Sequence, residues 1–202
     1  MAERPLPAAV GFSSHSGWVA VVCLGGSANA PVVIERTRVL LTSAPLPREP
    51  YHEAKRREPE LAGKIVTAAA EEARALAAEA ITGLANSVGA QGYELIASGI
   101  VLSGTRPGFT LSQALSTHAA MHGAEGWLFR EALIDASRKC GLRTTGVGER
   151  DLLGRAASAF VTSEDSVSAL VQRLGRGLGS PWGKDQKAAA TAALVALSLS
   201  SL

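Results

Sequence analysis

Three histidines, one aspartate and a few serines are the residues here whose types and spacing could do chemistry. His118 and His122, in "STHAAMHG", stand four residues apart, so on a helix both imidazoles share a face. His15 lies in "VGFSSHSGWVAVV", residues 10–22, among Ser13, Ser14, Ser16 and Gly17. Asp185 opens "KDQKAAATAAL". His15, His118, His122 and Asp185 together would suit zinc or another borderline metal such as manganese better than magnesium, which demands oxygen ligands. The histidine pair is not the metalloprotease pattern, because no glutamate follows the first histidine. A structural reading competes. His118 and His122 share a stripe with Leu115, Phe129 and Leu133, as satisfied histidines at a packed interface would, and Ser13 to Ser16 are ordinary turn formers. Catalysis by Ser13, Ser14 or Ser103 with His15 as base would be nucleophilic, but no Gly-x-Ser-x-Gly elbow is present.

Two glycine-rich loops add binding candidates. "SGTRPGFTLSQAL", residues 103–115, runs from a predicted strand into a helix. Gly104, Thr105 and Gly108 could offer amides to an anion there, with Thr110 or Ser112 as the helix cap. It lacks Walker spacing and any lysine, so nucleotide hydrolysis is not implied. "QRLGRGLGSPWGKDQK", residues 172–187, places Arg173, Arg176, Lys184 and Lys187 around Trp182. Such a loop could contact phosphate and stack on a base. The alternative is a mobile loop with solvated charges, in which Trp182 anchors the last helix.

The elements that must position these residues follow from patterning. The chain has 202 residues, 47% apolar and only 4% aromatic, with a formal net charge of +2. That composition is globular, with close-packed alanine-rich helices on a sheet, and bulk charge does not indicate a nucleic-acid binder. Cys23 and Cys140 make no disulfide framework and are expected to be two buried thiols in a reducing cytoplasm. No stretch reaches the roughly 20 apolar residues of a membrane span. Neither a signal peptide nor a membrane partner is expected.

Residues 8–13, 17–24 and 31–43 read as three strands of an antiparallel meander. A helix is predicted from about Pro59 to Val88, with Leu61, Ile65, Ala69, Leu76, Ala80, Leu84 and Val88 on one face. "YELIASGIVLSG", residues 93–104, is a continuous apolar run, as expected of a central strand buried on both faces. A long helix from about Leu111 to Cys140, a short strand at "LRTTGVG", one or two helices between Arg150 and Leu174, and a terminal helix complete the order β-β-β-α-β-α-β-α. Such an order needs a mixed sheet, and it excludes a dinucleotide-binding fold, which would begin βαβ.

This order, over Ala8 to about Leu197, resembles the ribonuclease H superfamily, including Holliday-junction resolvases and actin-like ATPases. "VGFSSHSG" resembles the superfamily's opening Gly-x-Asp-x-Gly hairpin, with Gly11 retained and Ser13 in place of the first aspartate. "IASGIVLSG" resembles the fourth strand, which in nucleases ends in a glutamate; Leu102 and Ser103 stand there instead. "KDQKAAATAAL" resembles the Asp-x-x-Asp-Ala start of the resolvases' last helix, with Asp185 retained and Ala188 replacing the second acid.

The resemblance implies an α/β ribonuclease H-like domain over residues 1–202, with a five-stranded mixed sheet between helices. Its parts would be a meander over 8–43, alternating helices and strands over 59–147, and C-terminal helices over 148–202. It also implies an ancestral two-metal nuclease site now short of carboxylates. The expected function is a non-catalytic binding or scaffold protein, with a protein partner or a second copy favoured over nucleic acid. The alternative is a metal-dependent hydrolase, a phosphoesterase or nuclease, using His15, His118, His122 and Asp185 around a zinc or manganese ion, with Asp185, His15 and Ser103 as the catalytic candidates.

Overall fold

The computed structural model describes residues 4–27, 30–104, 108 and 110–199. Its sheet contains β1 (Leu6–His15), β2 (Trp18–Ser27), β3 (Ala30–Leu40), β4 (Tyr93–Leu102) and β5 (Arg143–Gly148), in the spatial order β3-β2-β1-β4-β5. β2 pairs antiparallel with both β1 and β3, while β4 runs parallel to β1 and β5. The mixed five-stranded α/β sheet expected from the sequence is therefore the one found. The hairpin turn is tighter than read: Ser13 and Ser14 belong to the β1 ladder, and only Ser16 and Gly17 link the pair His15 and Trp18. Gly17 has φ +76°, a left-handed conformation that a Cβ would disfavour.

Helices cover both faces. On one side lie α1 (Pro50–Ala54), α2 (Pro59–Gly89), α3 (Leu111–Ala114) and α4 (His118–Lys139); Phe12, Val10, Ile81 and Phe129 join in the core there. On the other lie α5 (Leu152–Ala159), α6 (Glu164–Leu174) and α7 (Lys184–Ser198), packed on Val22, Leu24 and Val101. A 3₁₀ turn at Glu149–Asp151 leads from β5 into α5.

Three sequence expectations change. The buried stripe of α2 is Ala62, Ala69, Ala73, Ala77, Ile81, Leu84 and Val88, and Leu61 is exposed. The helix turns its alanines inward because small side chains permit a closer approach than leucine does. The single helix predicted over 111–140 is broken into α3 and α4. At the break, Ser116 Oγ donates to the Gln113 carbonyl and Thr117 takes an extended conformation, capping α4 by accepting from the Ala120 amide at 3.1 Å. Cys23 is buried as expected, but Cys140, just beyond the end of α4, is exposed.

Burial, aided by the nearby Glu35 carboxylate, raises the Cys23 thiol from 9.0 to about 12. Because the folded value is the higher one, this thiol costs nothing below pH 9 and destabilises the fold progressively between pH 9 and 12. At pH 8 a thiol reagent should modify one equivalent in the native protein, at Cys140, and two after unfolding; rapid modification of both would contradict the burial of Cys23.

The last helix sits unusually deep. Gly11 of β1 and Gly99 of β4 are partners in the parallel register, and both face α7. A Cβ built on Gly11 would lie 1.8 Å from the Ala189 carbonyl oxygen, and one on Gly99 would lie 2.1 Å from that of Ala192. The two glycines make a bare floor, and buried Ala189, Ala190, Ala192 and Ala193 let the helix rest on it. This seating carries the start of α7 toward the ends of β1 and β4.

Candidate functional site

Beyond the Gly11–Gly99 floor, the same faces of β1 and β4 continue to Ser13 and Ser103. With Ser14, His15, Val101, Glu149, Lys184, Asp185 and Ala188 they line a cleft of about 170 Å³. His15, Ser103 and Asp185 are thus brought together. His15 Nε2 lies 2.9 Å from Asp185 Oδ1. The imidazole also stacks on Trp18, with centroids 4.3 Å apart and planes 11° from parallel. Arg38 in turn places its guanidinium 3.9 Å from the Trp18 ring.

The second acid of the cleft, Glu149, was not singled out from sequence. It sits just past β5 in the 3₁₀ turn and pairs with Lys184 Nζ at 2.7 Å. Its hydrogen bond and charge raise the Lys184 ammonium above the ordinary value. A second cation approaches from α4. Arg130, buried, donates from Nη1 to Ser103 Oγ at 2.7 Å, and its Nε has no hydrogen-bond partner. Burial lowers the Arg130 guanidinium, and the Glu149 carboxylate opposes that shift.

The cleft is therefore self-neutralised. Asp185 is engaged by His15 and Glu149 by Lys184, Arg130 is held by Ser103 within the field of Glu149, and the strand-end oxygens are hydroxyls. The magnesium pair implied by the nuclease resemblance does not fit these donors. Two such ions need several carboxylates free to bridge them, whereas this cleft already holds two fixed cations.

The expected metal set is not assembled either. His118 and His122 lie with His52, which was not singled out from sequence; neither His15 nor Asp185 belongs to that cluster. The reason is positional: the first turn of α4 faces α1, while His15 is held by Trp18 and Asp185. Nor are the two histidines packed as interface residues, since both are exposed.

Of the anion-loop candidates, Thr105 lies outside the described residues. Gly104 has φ +73°, and Thr110 caps α3 in a capping box with Gln113. In the 172–187 loop, the Trp182 indole donates to the Val171 carbonyl at 3.1 Å and packs on the α6–α7 core. It anchors the last helix and is not free to stack on a base.

No protein-family model matches the chain, and no curated protein matches it by sequence. Solved structures do match in shape. RuvC from T. thermophilus in complex with a Holliday junction substrate superposes with a TM-score of 0.53 at 12% identity, covering 93% of this chain and 90% of that one. The fold is ribonuclease H-like. A second Thermus thermophilus RuvC structure gives a TM-score of 0.52 at 13% identity, covering 93% and 92%. Within this ribonuclease H-like sheet, the cleft lies at the carboxyl ends of the adjacent parallel strands β1 and β4. Among the described residues, no helix is long and apolar enough to cross a membrane.

Proposed function

We propose that this chain is a binding or scaffold protein that keeps a ribonuclease H-like fold without two-metal phosphodiester hydrolysis. The observation that carries the reading is the charge arrangement of the cleft. His15–Asp185 and Lys184–Glu149 close on one another, and Arg130 lies against Ser103 where a carboxylate would be needed. A divalent ion entering there would displace the His15–Asp185 hydrogen bond and the Lys184–Glu149 ion pair and meet a buried guanidinium.

Branched DNA is the first ligand to test, because a solved neighbour of the same fold is in complex with a Holliday junction substrate. A protein partner or a second copy is the other class. The experiment incubates the protein with a labelled four-way junction in magnesium and then in manganese, and scores cut strands and retained complex separately. The expected result is no cut strand with either ion. Cut strands that disappear in Asp185→Asn would overturn the proposal. Retention that weakens linearly with the logarithm of salt would identify phosphate as the ligand; no retention would direct the search to proteins.

A further inference from the structure

The histidine cluster on the other side of the sheet has its own chemistry. His118 and His122 occupy the first turn of α4, which begins immediately after the Thr117 cap, and Glu125 follows one turn later on the same stripe. This stripe faces α1, which presents His52. His52 Nε2 lies 3.4 Å from His118 Nδ1, and His118 Nε2 lies 2.9 Å from His122 Nε2. One nitrogen from each ring lies within 4.8 Å of the other two. With metal–nitrogen bonds of about 2.0–2.1 Å, two ligands of a tetrahedral zinc ion stand about 3.3–3.4 Å apart. The two short contacts use different nitrogens of His118, so the atoms one ion would share, one per ring, are drawn together to within 4.8 Å, and rotation of the exposed His118 and His122 rings would close that to ligand spacing.

Glu125 supplies an independent observation. Its side chain is 0% exposed, and its Oε1 accepts from the amides of Tyr51 and His52 and from His52 Nδ1, at 3.0–3.2 Å. Its Oε2 is buried with no hydrogen-bond partner. Holding the proton of His52 on Nδ1 leaves the Nε2 lone pair bare and aimed at the other two rings. A carboxylate behind an imidazole fixes a metal ligand's tautomer and increases its basicity in this way. A cation on the far side of that imidazole would also offset a buried carboxylate that hydrogen bonds satisfy only in part.

We propose that His52, His118 and His122 bind one zinc-class divalent cation, with Glu125 as the positioning residue behind His52. Three nitrogen donors select zinc and its borderline neighbours over magnesium and calcium. His118 and His122 are exposed, so the fourth position is open to water or a small anion. The site shares no residue with the His15–Asp185 cleft and does not rest on the non-catalytic reading of that cleft.

The test is calorimetric titration of chelator-treated full-length chain with zinc, and with magnesium as the comparison. One zinc per chain is expected with micromolar or tighter affinity, and no heat from magnesium. His122→Ala, at an exposed ring, should weaken zinc at least about a hundredfold, and Glu125→Gln about ten- to a hundredfold. His15→Ala should bind as wild type does, which separates this site from the cleft. Cobalt substitution should give the intense visible bands of a tetrahedral centre, lost in His122→Ala. Absence of zinc binding, or wild-type affinity in His122→Ala, overturns the proposal. Should Glu125→Gln fail to fold, the His122→Ala result decides alone.

Discussion

Gly11→Ala is expected to lower the stability of this protein by about 3 kcal/mol or more, at or beyond the upper end of ordinary overpacking. The added methyl would meet the Ala189 carbonyl oxygen at 1.8 Å and the Ala193 amide nitrogen at 2.8 Å. Both are backbone atoms of α7, so no side-chain rotation relieves the clash. The helix must lift from the sheet, and the alanine core beneath it opens. Gly83→Ala is the matched control. Gly83 is on the exposed side of α2 with nothing near its Cβ position, so alanine there should stabilise by about 0.5–1 kcal/mol. Urea denaturation midpoints compare the two directly. A Gly11→Ala midpoint equal to wild type would mean that α7 does not lie on the strand backbone.

Arg36→Ala should cost about 2 kcal/mol, a typical figure for losing charge-assisted hydrogen bonds. From the middle of β3, the Arg36 guanidinium donates to four successive carbonyls, those of Leu178, Gly179, Ser180 and Pro181. This loop precedes α7, and the guanidinium ties it to the sheet. A planar fork of N–H groups matches that ring of acceptors; Arg36→Lys, with a single ammonium, should recover only part of the loss. Limited proteolysis should show faster cutting within 175–183 in Arg36→Ala, and urea midpoints should fall in the order wild type, Lys, Ala. An unchanged cutting rate would show that Trp182 holds the segment unaided.

Much of the fold was legible because its signals are local. The apolar run of β4, the β-branched density of β2 and β3, and the caps and glycines around α2 each announce themselves within about a dozen residues. The break at Ser116–Thr117 was not, because two hydroxyl residues inside an otherwise helical pattern are a small perturbation until their hydrogen bonds are seen. The meeting of His15, Ser103 and Asp185 at the ends of β1 and β4 was only partly legible, because the expected set also held His118, which α4 turns toward α1. Glu149 escaped because it lies in a short 3₁₀ turn after β5, a place no periodicity marks. His52 escaped for a different reason: its partners His118 and Glu125 are 66 and 73 residues away. Glu125 did leave a trace, as an acid on the stripe of Met121, Leu128 and Phe129, and a carboxylate in that company signals a buried partner.

The bare floor under α7 also has a use in recognising the fold. Sequence identity to the RuvC structures is only 12–13%, so residue matching is a poor guide to the shared fold here. Steric complementarity is a better one. A glycine in the first strand, its register partner glycine in the fourth, and small residues three apart in the last helix form a coupled pattern: Gly11, Gly99, Ala189 and Ala192. Neither glycine can gain a Cβ without lifting the helix, so the fold itself constrains both, whatever the cleft does. Searching for that spacing of absent side chains is a way to gather other chains that pack this way.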